Sequence, residues 1–561
     1  MIRSIYRVIP SGYRGKTLFV AITILLRALL NFIGVAMLVP ILMLIVGGNI
    51  DSNPYMHHLY ELLGLSSQGF VGALCGIVIG VLILKNILNQ LLYRAERNYI
   101  SQVYQHLSRR LFVGYYHKGL GFIKRSNSAH LARDVNSISL TFSSGVLKPI
   151  AQIIGDGILL VVIFMALATY SPYLALIALV IFVPIALLFY MVVRRKLGEV
   201  GRRENELQRA KSRIVLETFR GYADVKIGGA MPRMLSDFDA AMGEIVDVRN
   251  RHASIAMLPQ AFIEIGLVVG LVVMALWGAN DNTHLQLMFG VFTIAAIRLL
   301  PVVRNIMASW STLRYNSYSI DVLNDIKVDD SCDVEQSTER ISMNDSIKLC
   351  DISFKFDDAT SDTLSHLSLT IAKGERVGIR GASGVGKTTL FNIILGLYRP
   401  TSGSILIDGE ELTDSNISKW QNSIGYVSQN VFITDASLAE NIAFGVALND
   451  INHELVNEVI DQADLRTFVA SLPDGIHSRI GELGARLSGG QRQRIGIARA
   501  LYKRCNVLMF DEATSSLDAE SESNINSAIS RLSTERDDMT IIVIAHRESS
   551  LEYCNRIITL E

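Results

Sequence analysis

Six long apolar stretches constrain this chain more than any other feature. They run over 18–46, 70–92, 150–169, 173–193, 255–277 and 285–306, and each reaches the roughly 20 residues that a helix needs to cross a bilayer. In lipid every backbone N–H and C=O must be bonded within the protein, so runs of this length predict membrane-crossing α-helices. The placement of Lys and Arg sets the orientation. Arg3, Arg7, Arg14 and Lys16 precede the first stretch, and 49–68 has no Lys or Arg. Arg94, Arg97, Arg109, Arg110, Lys118, Lys124, Arg125 and Arg133 follow the second. The Ser171-Pro172 turn has none, 194–251 is again basic, and 278–284 has none. This alternation predicts a multi-pass protein with both termini cytoplasmic and three short outer loops.

The inner segments 94–148 and 194–254 are too long and too polar to be turns. They read as helical extensions of the spans, with tips near 117–125 and 219–229, that couple the membrane half to the rest of the chain. The alternative is a pair of basic, solvated helices touching lipid headgroups. Half of the chain is hydrophobic, 19% is charged and the mean hydropathy is +0.32, as expected of a membrane half averaged with a soluble one. The formal net charge of zero gives no electrostatic case for a nucleic-acid partner. The five cysteines show no CxxC spacing and read as buried or reduced thiols. No cleavable signal peptide is expected, because the first apolar stretch is too long and lacks a small-residue cleavage site.

Some charges fall inside the apolar stretches, where they are expensive and usually face a bundle interior or a water-filled cavity. Arg27 reads as a structural ion-pair partner and Lys85 as a snorkelling side chain. Arg298 and Arg304 flank Pro301. They read as contacts to an anionic group of a substrate, a phosphate or a carboxylate. Pairing with Glu264 or Asp156, or snorkelling to the inner interface, is the structural alternative.

Membrane-type apolarity ends after Ile320, so 1–320 is the expected membrane domain. The polar, acidic stretch 321–346 reads as a linker, and from 347 to 561 strands alternate with helices, which predicts an α/β domain. That domain carries GASGVGKT, Gly381–Thr388, which fits the phosphate-cradling pattern G-x-x-x-x-G-K-[ST]. Gly381, Ala382, Ser383, Gly384, Val385 and Gly386 would turn backbone N–H groups towards a phosphate chain. Lys387 would reach the β- and γ-phosphates, Thr388 would hold Mg²⁺, and a helix running from Thr388 through Thr389 adds its N-terminal dipole. A short strand, 376–379, is expected before the loop. The apolar strand 507–512 ends in two acids. Asp511 would fix Mg²⁺ through water, and Glu512 would take a proton from the attacking water.

Between these motifs lies LSGGQ, Leu487–Gln491, with a helix expected from about Gln491. Together these residues resemble an ATP-binding-cassette (ABC) transporter whose membrane half is fused ahead of the cassette, and the resemblance covers essentially the whole chain. It implies an all-α, six-helix transmembrane domain of the type IV exporter fold plus an α/β P-loop nucleotide-binding domain, with ATP and Mg²⁺. Phe356 stands where the family stacks an aromatic on adenine, usually Tyr. Gln429 matches the glutamine that touches Mg²⁺ or water, and His546 the histidine on the γ-phosphate. Ser488, Gly489, Gly490 and Gln491 match the signature that closes on a nucleotide. Asp518, in Ser515–Asp518, matches the loop crossing the dimer, with Ser516 where Ala is common. Ile480-Gly481-Glu482 resembles an exporter-specific stretch facing the coupling helices.

With Glu512 and His546 both present, the resemblance implies a hydrolytically competent site. One membrane half and one cassette imply a working unit of two copies, a homodimer in the simplest case. The stretches 32–40, 258–264 and 297–301 are similar to those of bacterial lipid-linked-oligosaccharide flippases. This implies ATP-driven flipping of a lipid with a polyprenyl-pyrophosphate head across a bacterial inner membrane. Export of a peptide, another lipid or a drug is the alternative within transport, and a nucleotide-gated channel or sensor is the alternative outside it. The resemblance departs at the end, where the chain stops at Leu560-Glu561 and many relatives continue into a helical tail. A metal role for His57 and His58 is disfavoured against a solvated loop.

Overall fold

The apolar stretches are helices. The computed structural model describes residues 2–37, 66–170, 172–277, 282–325, 338–481, 487–512, 519–535, 538–545 and 547–560, with positions 58, 60, 61 and 64; side chains in 273–298 and at several positions of 170–195 lie outside that description. The chain divides into a helical unit, Met1–Lys118 with Phe122–Asp333, and an α/β unit that runs from Val334 to Glu561.

In the helical unit each expected span falls on one long helix. They are α1 (Arg14–Ala36), α2 (Ser67–His117), α3 (Lys148–Tyr170), α4 (Pro172–Arg220), α5 (Met231–Trp277) and α6 (Asn282–Tyr315). Among the described residues, four runs are long and apolar enough to cross a membrane: 11–34, 68–117, 128–169 and 231–270. The last part of the first expected span, 38–46, lies outside the described residues. Helix α2 has 51 residues, about 76 Å at ~1.5 Å per residue, against a hydrocarbon core of roughly 30 Å. The surplus is the extension foreseen from the polar segments. Its helix ends at His117, and a short helix, Gly119–Arg125, follows. Helix α4 ends at Arg220 and is followed by Tyr222–Ile227. A helical run with two π-turns, Asp134–Ile138 and Ser143–Leu147, leads into α3.

The helices pack α1 on α2, α3 on α6, and α4 on α5. Ala28, Leu159, Ile163, Leu197, Leu299 and Met307 form one buried cluster between them. On the extensions, the buried Asp134 carboxylate accepts from Arg209 (2.9 Å) and from the Tyr115 hydroxyl (3.2 Å), so a single acid ties three segments together. Burial first, and then the Asp134 charge, push the Tyr115 phenol well above its ordinary range. The stretch expected to be a linker from 321 begins as the end of a helix, Tyr318–Asp325. At its far end Met343 is buried in the core of the α/β unit.

The α/β unit contains two sheets. An antiparallel sheet has the order β2-β1-β4-β5 and a parallel sheet the order β6-β7-β8-β3-β9. The strands are β1 (Ser346–Phe354), β2 (Leu364–Ala372), β3 (Arg376–Gly381), β4 (Ser402–Ile407), β5 (Glu410–Glu411), β6 (Ile424–Val427), β7 (Val507–Asp511), β8 (Thr540–Ile544) and β9 (Arg556–Leu560). Strands β7 and β8 are buried along their whole length. That is why they read as unbroken apolar runs rather than as an alternation. Helix α7 (Lys387–Ile394) follows β3. Its last turn is closed by Trp420, fully buried, whose indole N–H donates to the Ile394 carbonyl at 2.8 Å.

Candidate functional site

In a parallel sheet the loops beyond the carboxyl ends of the strands form the binding crevice. Three motif segments meet that edge: the loop after β3, Gln429 after β6, and Asp511 at the end of β7 with Glu512 just beyond it. The phosphate loop turns because Gly384 and Gly386 hold φ +86° and +101°, values that L side chains rarely adopt. At Gly386 a Cβ would also stand 2.8 Å from Leu364 Cδ2. Helix α7 starts at Lys387, one residue ahead of the expected position. The Lys387 side chain is buried, and its ammonium donates to the carbonyls of Gly381 (2.8 Å) and Ala382 (3.0 Å). The cation is therefore held over the mouth of its own loop. Thr388 is exposed beside it and Thr389 is buried. Flexible glycines, helix N–H groups and one cation make a donor set that fits a phosphate chain.

On the acidic side, Gln429 Nε2 donates to Glu512 Oε2 at 2.8 Å. Glu512 has φ +48°, unusual for a residue with a side chain, and its N–H donates to Ile544 O at 3.0 Å. Such left-handed residues cost of order 1–2 kcal/mol and persist where the surroundings enforce them. The strand therefore ends at Asp511, and Glu512 turns out of it. Asp511 is buried and accepts from the Tyr426 hydroxyl. Burial and the Asp511 charge push that phenol above its ordinary range, so it remains a donor. Thr388, Gln429 and Asp511 offer a hydroxyl, an amide oxygen and a carboxylate, the hard oxygen donors that suit Mg²⁺.

Two of these partners were not foreseen. Tyr426 holds Asp511, and Gln493, itself buried, donates from Nε2 to the Gln429 carbonyl at 2.7 Å. Gln493 lies on α8 (Gly489–Tyr502), which packs on β6. The signal was its short spacing from LSGGQ, but the partner lies 64 residues away. Helix α8 begins at Gly489, two residues earlier than expected. Ser488 caps it by accepting from Gln491 N–H, and the Gln491 side chain accepts from Ser488 N–H. Both side chains therefore fix the turn that presents Gly489 and Gly490. Phe356 is half-buried and packs edge-on to Phe354 (4.9 Å) and Tyr398 (5.7 Å). Glu482, Ser515, Asp518 and His546 lie outside the described residues.

The sequence profile of the ABC transporter family matches residues 364–515, and that of the ABC transporter transmembrane region matches 18–300. The chain belongs to the ABC transporter family. It is an exporter with an N-terminal membrane domain and a C-terminal ATP-binding cassette, and it couples ATP hydrolysis to transport. It is 32% identical over 418 residues to an ATP-dependent lipid A-core flippase of Bordetella avium (strain 197N), covering 72% of this chain and 68% of that protein. It is 30% identical over 474 residues to a protein of the same name from Burkholderia orbicola (strain AU 1054), covering 83% and 78%. A solved bacterial Atm1-family ABC exporter with ATP bound shares the fold, with a TM-score of 0.78 at 21% identity over 98% of this chain and 94% of that one.

In the membrane unit of this exporter, Arg27 pairs with Glu96 at 2.9 Å, with the two side chains 14% and 5% exposed. The stem of Lys85 lies across Gly34, where a Cβ would come within 2.9 Å of Lys85 Cδ. Lys85 therefore uses the missing side chain of α1 rather than only reaching for the interface. Asp156 accepts from Gln152 at 2.6 Å and Glu264 from Gln260 at 3.0 Å. Arg304 is exposed on α6, and the side chain of Arg298 lies outside the described residues.

Proposed function

We propose that two copies of this chain form an ATP-driven flippase for a lipid with a saccharide head, in a bacterial inner membrane with both termini cytoplasmic. The observation that supports the catalytic half is the 2.8 Å contact between Gln429 and Glu512 at the sheet edge that also carries the phosphate loop and Asp511. The loop N–H groups and Lys387 bind the phosphates. Thr388, Gln429 and Asp511 would hold Mg²⁺, which neutralises charge on the β- and γ-phosphate oxygens when bound. Gln429 orients the Glu512 carboxylate, and Glu512 accepts the proton of the water that attacks the γ-phosphate. His546 serves the same phosphate, and Phe356 faces the adenine.

A second copy is inferred because each chain carries one membrane half and one cassette, and a two-fold pair is the simplest way to complete the unit. As the family resemblance implies, Ser488, Gly489, Gly490, Gln491 and Asp518 of one copy would close on the phosphate loop of the other. The names of the relatives support a lipid substrate, and Arg298 and Arg304 suit a pyrophosphate head.

The decisive assay is ATPase activity in detergent with and without an added lipid-linked oligosaccharide, followed by its flipping in proteoliposomes. Stimulation and flipping are expected. Stimulation by a peptide alone would overturn the lipid reading. Passive, ATP-gated ion flux would favour a channel.

A further inference from the structure

The cassette leaves unused a polar pocket inside the membrane unit. A cavity of about 240 Å³ opens among α1, α2 and α3, walled by Arg27, Asn31, Asn89, Tyr93, Gln152 and Asp156. All but Tyr93 lie within the apolar stretches predicted to cross the membrane. Polar side chains are costly there and mark pathways or sites. A purely structural cluster would be close-packed, as protein interiors are. This one leaves open the space of about eight waters at ~30 Å³ each, below the ~300 Å³ at which drug-sized sites begin.

Its charges are already answered. Arg27 Nη1 is 2.9 Å from Glu96 Oε2, and Asp156 Oδ2 accepts from Gln152 at 2.6 Å. Arg27 is also held against α3, since a Cβ on Gly155 would be 3.4 Å from its Nη2. A phosphate would find no uncommitted cation here. What remains is neutral hydrogen-bonding capacity. Asn89 Nδ2 donates to Asn31 Oδ1 at 2.8 Å, while Asn89 Oδ1 is buried with no partner. An unpartnered buried acceptor costs roughly 1–3 kcal/mol, so this amide pair is kept in the pocket wall at some expense. Hydroxyl groups both donate and accept, so they match amides and a paired carboxylate better than an ion does.

We infer that this pocket binds the neutral, hydroxyl-rich part of the transported headgroup, one sugar ring in size, apart from the anionic part assigned to Arg298 and Arg304. The inference rests on the glycolipid reading above. The test uses the full-length protein in phosphatidylcholine nanodiscs, with dodecyl maltoside and dodecylphosphocholine as probes below their micelle concentrations. The two share a chain and differ in head. Binding is followed by the half-maximal concentration for ATPase stimulation. In Asn89→Leu that concentration should rise about tenfold for the maltoside and stay within twofold for the phosphocholine. Gln152→Met, nearly isosteric, should shift in the same sense and guards against a packing defect of the first variant. Equal shifts for both probes, or none in either variant, overturn the pocket. Flipping of a lipid-linked oligosaccharide separates the two readings. Wild type and Asn89→Leu flipping it equally overturns the pocket alone, whereas no flipping by wild type overturns the substrate reading and the pocket with it.

Discussion

Gln493 offers a sharp test of how the catalytic edge is held. It is 3% exposed, and its Nε2 donates to the Gln429 carbonyl at 2.7 Å. Gln429 in turn donates to Glu512 at 2.8 Å. In Gln493→Leu the chain is broken at its buried end. Stability should change little. One hydrogen bond of about 1 kcal/mol is lost, but Gln493 Oε1, buried without a partner, no longer carries its desolvation cost of roughly 1–3 kcal/mol. Catalysis should respond more. If Gln429 loses its hold on Glu512, one charge-assisted bond of about 1.5–3 kcal/mol is at stake. At ~1.4 kcal/mol per factor of ten the limit is a loss of roughly 10- to 150-fold. Because Gln493 acts through Gln429, the expected fall in kcat is near the lower end, about tenfold. KM for ATP should hold within twofold, since Gly381–Thr388 is untouched. The assay is steady-state ATPase in detergent over an ATP titration, with thermal unfolding alongside. A kcat within twofold of wild type refutes the reasoning. A rise in KM that matches the fall in kcat refutes it too, and assigns Gln493 to nucleotide binding.

Three other substitutions probe the cassette. Glu512→Gln should lose about 10²- to 10⁴-fold of hydrolysis, the usual reach of a general base, while still binding ATP; near wild-type turnover would remove Glu512 from that role. Gly386→Ala forces a side chain onto φ +101° and against Leu364. It should cost at least ~1–2 kcal/mol of cassette stability and weaken binding of a fluorescent ATP analogue; an unchanged melting temperature would contradict the geometry. At Asp408, burial pushes the carboxyl up, but N–H donors from Asn344, Asp345 and Ser346 outweigh it and hold the group below the usual carboxylate range. A depressed folded-state value gives stability that is present above the unfolded value of about 3.9 and is lost as pH falls through the folded one. Asp408→Asn tolerates the residue's φ of +50°, yet it should cost about 1 kcal/mol at pH 7, discounted for exposure. The difference from wild type should shrink on acidification below about pH 4, and a difference that stays constant with pH would show that the carboxylate charge contributes nothing.

Much of the ATP site was legible because its chemistry is local. A phosphate loop needs its glycines, lysine and threonine within eight positions, and Gly381–Thr388 supplies them in order. Glu512 and Gln429 could be named from their motifs, but their 2.8 Å contact joins residues 83 apart. The link from Gln493 to Gln429 has no local signature either. The same holds in the membrane unit. Arg27 was legible as a buried cation needing a partner. Glu96 lay in a segment that reads as a polar extension, so only the packing of α1 on α2 names it.

By itself, the sequence determined the helical membrane half, the α/β cassette and the phosphate loop. Apolar length, strand runs and glycine spacing act over a few turns of chain, and backbone hydrogen bonding enforces them wherever they occur. The tertiary structure decided which side chains meet. It turned Glu512 out of β7 towards Gln429, laid Tyr426 on Asp511, and gathered amides from three helices around a space that no single helix encloses. Those contacts depend on strand order and helix packing, which are set by burying apolar surface across distant parts of the chain.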